Sequence, residues 1–378
     1  MLNLIDISFL ALAFTVAFTG FLINNFEKHV PVFIVKGFKY GSFAYQGSGG
    51  NFLQVIEIPK SCYRHFYSFS SVFSTIALFY STLVYFFDYE VHSYVTIVLK
   101  LLLEQERPAV SVLAAMAALS LLTLQCIKRC YETYYMQVFA TASKINLSHY
   151  ISGLLHYFAV VVAIVGQAPL FCVIYINIYL FIYSAHQRIL YKINKTYNRV
   201  HTITGEHNIH IKRSFVKRFI LLITTIKRKD LIVSLVYYVS INFFAGDQYR
   251  EKIVWTDLRT TLALIPGIPI FLWAFHEQYQ TNVIFANLRK DKKSGQVVTE
   301  DHKVPHGRLF ESISSPHRYC EIILYTVLLS IIPTKTFFCI FLWVLCNQVQ
   351  TAIQAHEWYK KTFKNYPTER YAIFKGIL

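Results

Sequence analysis

HEQYQTNVIFANLRKDKKSGQVVTEDHKVPHGRLFESISSPHRYCE, residues His276–Glu321, lies between the apolar run Leu262–Phe275 and another that begins at Ile322. Its polar groups therefore sit where a membrane meets water. Continued as a helix, its first half places Gln278, Asn282 and Arg289 at i, i+4 and i+11, so two amides and a guanidinium share one stripe. A cation near the C-terminal end of such a helix is expected on dipole grounds alone. Polar side chains that prolong a membrane span are costly unless they face protein or a water-filled cavity. Amides snorkel poorly, so the stripe reads as a site ahead of a simple interfacial helix end.

The rest of the chain has the composition this reading needs. Its 378 residues are 54% hydrophobic with a mean hydropathy of +0.39, too apolar for a soluble globule, and predict an all-α, polytopic integral membrane bundle. The net charge of +16 comes with no nucleic-acid-binding motif and is better explained by positive charge on one set of loops. Seven cysteines, Cys62, Cys126, Cys130, Cys172, Cys320, Cys339 and Cys346, show no repeated spacing and suggest neither a disulfide framework nor a zinc site. The glycines of YQGSGGN (Gly47, Gly49, Gly50) lack the GxGxxG spacing and read as a loop, so no Rossmann turn is available to hold a dinucleotide.

Apolar runs follow in order: the amino terminus through Ile23, read as a retained first span, then Phe66–Phe87, Val110–Leu124, Ile151–Val165, Pro169–Tyr183, Leu231–Ala245 and Leu262–Phe275. A pair turned at Pro333, Ile322–Ile332 with Phe337–Cys346, completes the series. The loop Asn24–His65 is basic and the next, Asp88–Arg107, carries Asp88, Glu90, Glu104 and Glu106. Alternation of such loops places Lys28–Lys60, Lys128–Lys144, Lys192–Lys229, Arg289–Lys303 and Lys360–Lys375 on the cytosolic side when nine spans are counted. His65, Gln125–Tyr135, Gln278–Glu321 and His356–Arg370 then converge at cytosolic helix ends, within reach of both a soluble cofactor and a membrane lipid. The sequons at Asn146 and Asn194 fall in loops read as cytosolic and are expected to be unmodified.

LRK at Leu288–Lys290 with KVPHGRLFESISSPHRYCE at Lys303–Glu321 resembles the carboxy-terminal signature of the steroid 5-alpha-reductase family, in the form found in its polyprenol (polyprenal) reductase branch. NQVQTAIQAHEWYKKTFKNYPTERYA, which contains His356, Trp358, Tyr359, Tyr366, Pro367 and Arg370, is similar to the family's terminal helix and YPxxRxA tail. Two weaker blocks agree, IPKSCYRHFYSFS at Ile58–Ser70 and QCIKRCYETYY at Gln125–Tyr135, whereas Pro169–Ala245 has no counterpart. The resemblance implies a single membrane domain over residues 1–378, divided into N-terminal spans (1–168), an inserted hairpin (169–245) and a cofactor-binding signature region (246–378). Seven family spans plus the hairpin give the nine. Ser214–Ile226 offers an alternative, since its flanking cations suit an interfacial helix.

The resemblance further implies an NADPH-dependent reductase of the endoplasmic reticulum membrane, with a polyprenyl lipid as substrate, no nucleic acid and no metal. Arg129, Arg289 and Lys303 are the expected phosphate ligands, guanidinium being suited to bidentate contacts. Gln278, Asn282, His317, Glu321 and Tyr359 match positions that contact the cofactor in the family. Asn282 stands where steroid members carry an aspartate, and His302–Lys303 where they carry a tyrosine and a basic residue. His356, Glu57 and Tyr63 are the candidate acids for the substrate oxygen, and Cys126 replaces the tyrosine that binds a steroid ketone, which disfavours a steroid.

Hydride adds readily to a double bond conjugated to a carbonyl, because oxygen takes the developing charge; an allylic alcohol has no such sink. Polyprenal is thus a better substrate than polyprenol on chemical grounds, and the 32 Phe and 27 Tyr could line a channel for isoprene units. Steroid enone reduction is the second reading. A chemoreceptor or channel shares the composition but does not require the tail motifs, and an isoprenylcysteine methyltransferase-like protein would use S-adenosylmethionine. A di-iron hydroxylase would need several histidine boxes, whereas the lone HxxxH, His302 to His306, is interrupted by Pro305.

Overall fold

The computed structural model describes residues 2–39, 57–104, 107–140, 143–171, 254–291, 294 and 296–377, and among these described residues are nine α-helices and a two-stranded sheet. The chain divides into two units, Met1–Cys172 with Trp255–Leu378, and Val173–Val254. The run Leu231–Ala245, most of Pro169–Tyr183, the segment Ser214–Ile226, the Asn194 sequon, Cys172 and the glycine cluster of residues 47–50 lie outside the described residues.

The helices are α1 (Leu4–Phe26), α2 (Val32–Phe38), α3 (Tyr63–Phe86), α4 (Ser93–Leu103), α5 (Val112–Tyr131), α6 (Leu147–Val165), α7 (Leu258–Asn287), α8 (Pro316–Ile331) and α9 (Lys335–Thr362). Side-chain caps start most of the long ones. Asn3 forms a capping box with Asp6, and Ser111, Asn146, Asp257 and Thr334 accept from backbone amides of α5, α6, α7 and α9. In its capping role the buried Asn146 accepts through Oδ1 from the Ser148 amide at 3.0 Å and the Ser148 hydroxyl at 3.1 Å, which places the sequon at a folded helix start.

Six of these segments are long and apolar enough to cross a membrane: Leu4–His29, Lys60–Phe86, Val112–Met136, Leu147–Val165, Leu258–Asn287 and Lys335–Thr362. All seven expected runs within the described unit are helical. The seventh, α8, has 16 residues, and at about 1.5 Å per residue it falls short of a full hydrocarbon core by itself. The turn at Pro333 separates α8 from α9 as the sequence suggests. The acidic loop Asp88–Arg107 requires correction, because it contains α4, whose Leu99 and Leu103 are buried. Its acids flank an apolar 11-residue helix too short to span, so the alternation of sides along the chain is unaffected.

α1 packs on α9, α7 on α8, and α3 on both α5 and α6. Phe14, Phe18 and Phe21 on α1, Val72, Ile76 and Phe79 on α3, and Leu262, Ile265 and Leu272 on α7 remain exposed, the surface that lipid would cover in a multi-pass membrane protein. Pro266 and Pro269 lie inside α7, a placement membrane helices tolerate. The α3–α6 approach depends on Gly153, where a Cβ would sit 3.0 Å from the Phe66 ring. Strands β1 (Glu57–Pro59) and β2 (Lys144–Asn146) pair antiparallel, Ile58 opposite Ile145, and bring the starts of α3 and α6 together.

Candidate active site

Neighbouring spans run in opposite directions, so the beginnings of α3, α6 and α8 meet the ends of α5, α7 and α9 at one end of the bundle. There they enclose a cavity of about 610 Å³, within the range of small-molecule and cofactor sites. Its lining includes Tyr63 and Tyr67 of α3, Arg129 of α5, His149 of α6, Gln278 and Asn282 of α7, His317 and Glu321 of α8, and Trp358 and Tyr359 of α9. Arg289, His302 and Lys303 line it from the loop after α7. All eight expected cofactor residues are thus brought together, as is Tyr63.

Gln278 is the hub. Its Oε1 accepts from Gln125 Nε2 at 2.8 Å and Lys128 Nζ at 2.7 Å, while its Nε2 donates to the His317 carbonyl at 3.1 Å and to Glu321. Because lysine only donates, this pattern fixes which amide atom is which, and every hydrogen-bonding position of the side chain is used. Gln125 Nε2 also reaches Glu321 Oε2 at 3.1 Å. Gln278 therefore positions Glu321 and Lys128, and an added ligand would have to displace one of these bonds.

One turn on, Asn282 Nδ2 donates to Glu132 Oε2 at 2.9 Å. Glu132 is fully buried in the π-helical turn that ends α5 and also receives Arg129. Arg129 completes its set on Tyr67, whose hydroxyl accepts at 3.0 Å and whose ring lies 4.8 Å from the guanidinium. A buried carboxylate is tolerated only when paired and hydrogen-bonded, and this cluster supplies both conditions. Much of the charge assigned to phosphate binding at Arg129 is thereby compensated within the protein.

Arg289 lies two residues beyond the end of α7 and still faces the cavity, with Nη1 donating to the Val138 carbonyl at 3.0 Å. Burial lowers its pKa from the ordinary guanidinium range. At the mouth, burial followed by the nearby charges of Arg289 and Lys60 pushes the His302 imidazole down to about 4. Its ring packs edge-on against Trp358. The other half of the HxxxH pair, His306, instead accepts from Arg370 Nη2 at 3.1 Å. Among the described residues no group of three or more His, Cys, Asp or Glu side chains is placed to hold a metal.

Two expected acids lie outside the lining. Glu57 is exposed on β1 and pairs with Lys144 at 3.6 Å. His356 Nδ1 meets Ser314 Oγ at 2.7 Å, and Ser314 Oγ also meets Tyr366 Oη at 2.6 Å. These bonds tie the terminal helix to the C-terminal tail.

Sequence reasoning missed Lys60, Tyr67, His156, Arg318 and Tyr325 in the lining, and Lys128 and Glu132 behind it. Glu321 lies four residues from both His317 and Tyr325, so a periodicity search from the Ser-Ser-Pro-His motif into the following apolar run could have found Tyr325. Lys60 and Glu132 fall inside the two weaker blocks, Ile58–Ser70 and Gln125–Tyr135, whose resemblance was the signal available for them.

The fold defines a polytopic helical membrane protein with a cavity among its helix ends. The profile of the 3-oxo-5-alpha-steroid 4-dehydrogenase family matches residues 228–378. The chain is 28% identical over 381 residues to the polyprenal reductase of Drosophila melanogaster, with 100% of this chain and 94% of the relative covered. It is 24% identical to the polyprenal reductase of Xenopus tropicalis over 330 residues, covering 86% and 82%. With the human polyprenal reductase it shares 36% over 113 residues, covering 29% and 34%. Residues 228–378 are thus similar to that family, and over its full length the chain is similar to polyprenal reductases.

Proposed function

We propose that this chain is an NADPH-dependent oxidoreductase that saturates the α-isoprene double bond of polyprenal in the endoplasmic reticulum membrane, a step of dolichol synthesis for protein N-glycosylation. The observation that carries this reading is the mixed lining of the cavity. Cations and donors gather at the helix ends, and Phe66, Tyr157, Tyr325, Trp343 and Val344 add ring and apolar surface to the same lining. The cations and donors suit a phosphorylated nucleotide and the rings an isoprenoid. The relatives' names supply the substrate class.

The residues present fit the cofactor. Ser315, the N-cap of α8, makes no side-chain capping bond, and its buried Oγ and the buried Nδ1 of His317 have no hydrogen-bond partner among the described residues. Unused donors at a helix start, beside Lys60, Arg289 and Lys303, suit anionic oxygens. Arg289, Lys303 and Lys60 would hold phosphates; His317, Asn282 and Tyr359 would contact the remainder, with Glu321 fixed by Gln278. When bound, NADPH would supply the hydride. The protein's part is to align the lipid's double bond, shield it and donate to its carbonyl oxygen.

Cys126, at the position of the steroid-binding tyrosine, is fully buried and does not line the cavity, which gives steroid reduction no support. Membranes containing the expressed protein, supplied with NADPH and matched polyprenal, polyprenol and a steroid enone, test the reading. Polyprenal should be consumed fastest. Consumption no faster than in membranes lacking the protein would overturn it.

A further inference from the structure

Among the rings of the cavity lining lies a close polar pair. His156 of α6 and Tyr325 of α8 both line the cavity, with His156 Nε2 at 2.6 Å from Tyr325 Oη. The imidazole is boxed by the rings of Phe9, Tyr157 and Trp343 at centroid distances of 6.2, 5.0 and 4.8 Å. Tyr325 follows His317 and Glu321 at successive i+4 steps on α8, which puts it about 12 Å along the helix from the cationic end at 1.5 Å per residue.

His156 Nδ1 is buried with no hydrogen-bond partner among the described residues. This orphan decides the tautomer. If Nδ1 carried the proton, a buried N–H donor would be left unsatisfied, the rarer of the two kinds of orphan; if Nε2 carries it, only an acceptor is unmatched. Nε2–H then donates to Tyr325 Oη, and the tyrosine's own proton is free to point into the cavity. A hydroxyl that receives one hydrogen bond is a better donor of the next.

We propose that Tyr325 donates the hydrogen bond to the carbonyl oxygen of a polyprenyl aldehyde seated in the cavity, and that His156 is the positioning residue that turns the tyrosine's proton toward it. The proposal rests on the reading of the site as a polyprenal reductase. In that reaction a hydride and its electron pair go to the carbon β to the carbonyl and the C=C π bond breaks. The displaced pair is carried through the enolate to oxygen, and a proton from water completes the reduction at the α carbon. The aldehyde is reduced across its double bond and the nicotinamide is oxidised. Tyr325 holds charge at oxygen while this occurs.

The test uses the full-length protein in detergent with farnesal, a short polyprenyl aldehyde. Without any cofactor, a hydrogen bond to a conjugated aldehyde moves its ultraviolet absorption to longer wavelength. Bound farnesal should show that shift in wild type and lose it in Tyr325→Phe, which keeps the ring. With NADPH, Tyr325→Phe should lower kcat about 10²–10³-fold with KM for the aldehyde changed only a few-fold. His156→Gln, which can still present an N–H, should retain more than a tenth of wild-type kcat, whereas His156→Phe should match Tyr325→Phe. Thermal unfolding of each variant establishes that it is folded, and Tyr325→Leu, which also lacks the hydroxyl, serves as a second variant should Tyr325→Phe not fold.

An unshifted farnesal spectrum in wild type, or a shift and kcat retained in Tyr325→Phe, overturns the proposal and leaves the proposed function standing. A shift lost in Tyr325→Phe together with no NADPH-dependent reduction by wild type upholds the carbonyl contact and overturns the proposed function.

Discussion

Arg370 donates through Nη1 to the carbonyl oxygen of Pro305 at 2.9 Å, which fastens the last motif of the chain to the loop that carries His302 and Lys303. The guanidinium is buried, and the same segment pairs Tyr371 with Ser312 and Ser314 through backbone bonds. The two blocks that stand out in the sequence, around Lys303–Glu321 and the YPxxRxA tail, are thus one structural unit. Arg370→Ala should destabilise the protein by about 1.5–3 kcal/mol, the magnitude of a charge-assisted bond. Arg370→Lys should do little better, since an ammonium does not reproduce the fork that reaches both Pro305 and His306. Thermal unfolding in detergent reads the effect, and wild-type midpoints in both variants would remove the clamp.

Glu132→Gln should be more damaging. It leaves Arg129 beside a neutral amide, and removing one member of a buried ion pair costs about 3–5 kcal/mol. Pairing it with Arg129→Met should recover part of the loss, because the remaining uncompensated charge goes with it. Additive losses in the double-mutant cycle would mean that the pair is not coupled.

Arg289→Ala should raise KM for NADPH about ten- to a hundredfold and leave kcat nearly unchanged, since a phosphate contact acts equally in the ground and transition states. Its bond to the Val138 carbonyl holds the side chain against the cavity lining. An unchanged KM would return Arg289 to a topological charge.

The Gln278–Asn282 stripe was legible because amides inside an apolar helix need a polar destination, and the helix indeed continues to Asn287. What the pattern could not reveal is how those amides are used. Gln278 is fully engaged by Gln125, Lys128, His317 and Glu321, partners contributed by two other helices. Glu132 was hidden for the same reason, since its i+3 pairing with Arg129 looks like a surface ion pair until Asn282 of α7 and full burial are seen. α4 was passed over because its flanking acids dominated a short apolar run. His156 and Tyr325 are ordinary residues in apolar helices, and only their 2.6 Å approach marks them.

His356→Ala tests the sequence expectation that this residue is an acid. Its bond to Ser314 and its place outside the lining predict a loss of roughly 0.5–1.5 kcal/mol of stability with kcat per folded molecule within a few-fold of wild type. A fall of ~10²-fold or more in turnover by folded protein would restore a catalytic role.

His302 gives the pH prediction. Its ordinary pKa of 6.5 is pushed down to about 4 in the folded protein, chiefly by burial and then by Arg289 and Lys60. Above pH 6.5 the ring is neutral folded or unfolded and adds no pH dependence. Between 6.5 and about 4 the unfolded chain binds a proton that the folded chain refuses. Stability therefore falls as pH drops through that window and levels off below it, since it rises with pH wherever the unfolded state holds more protons. Solvent at the cavity mouth reduces the effect below the full linkage value. His302→Gln, which cannot titrate, should lose less of its thermal midpoint than wild type between pH 7 and 4.5. The cation opposed by Arg289 and Lys60 is what the substitution removes, so the gap between the two curves should grow steadily toward acid. Parallel curves across that range would show that His302 titrates alike in both states, and that the positive charge lining the cavity does not act on it.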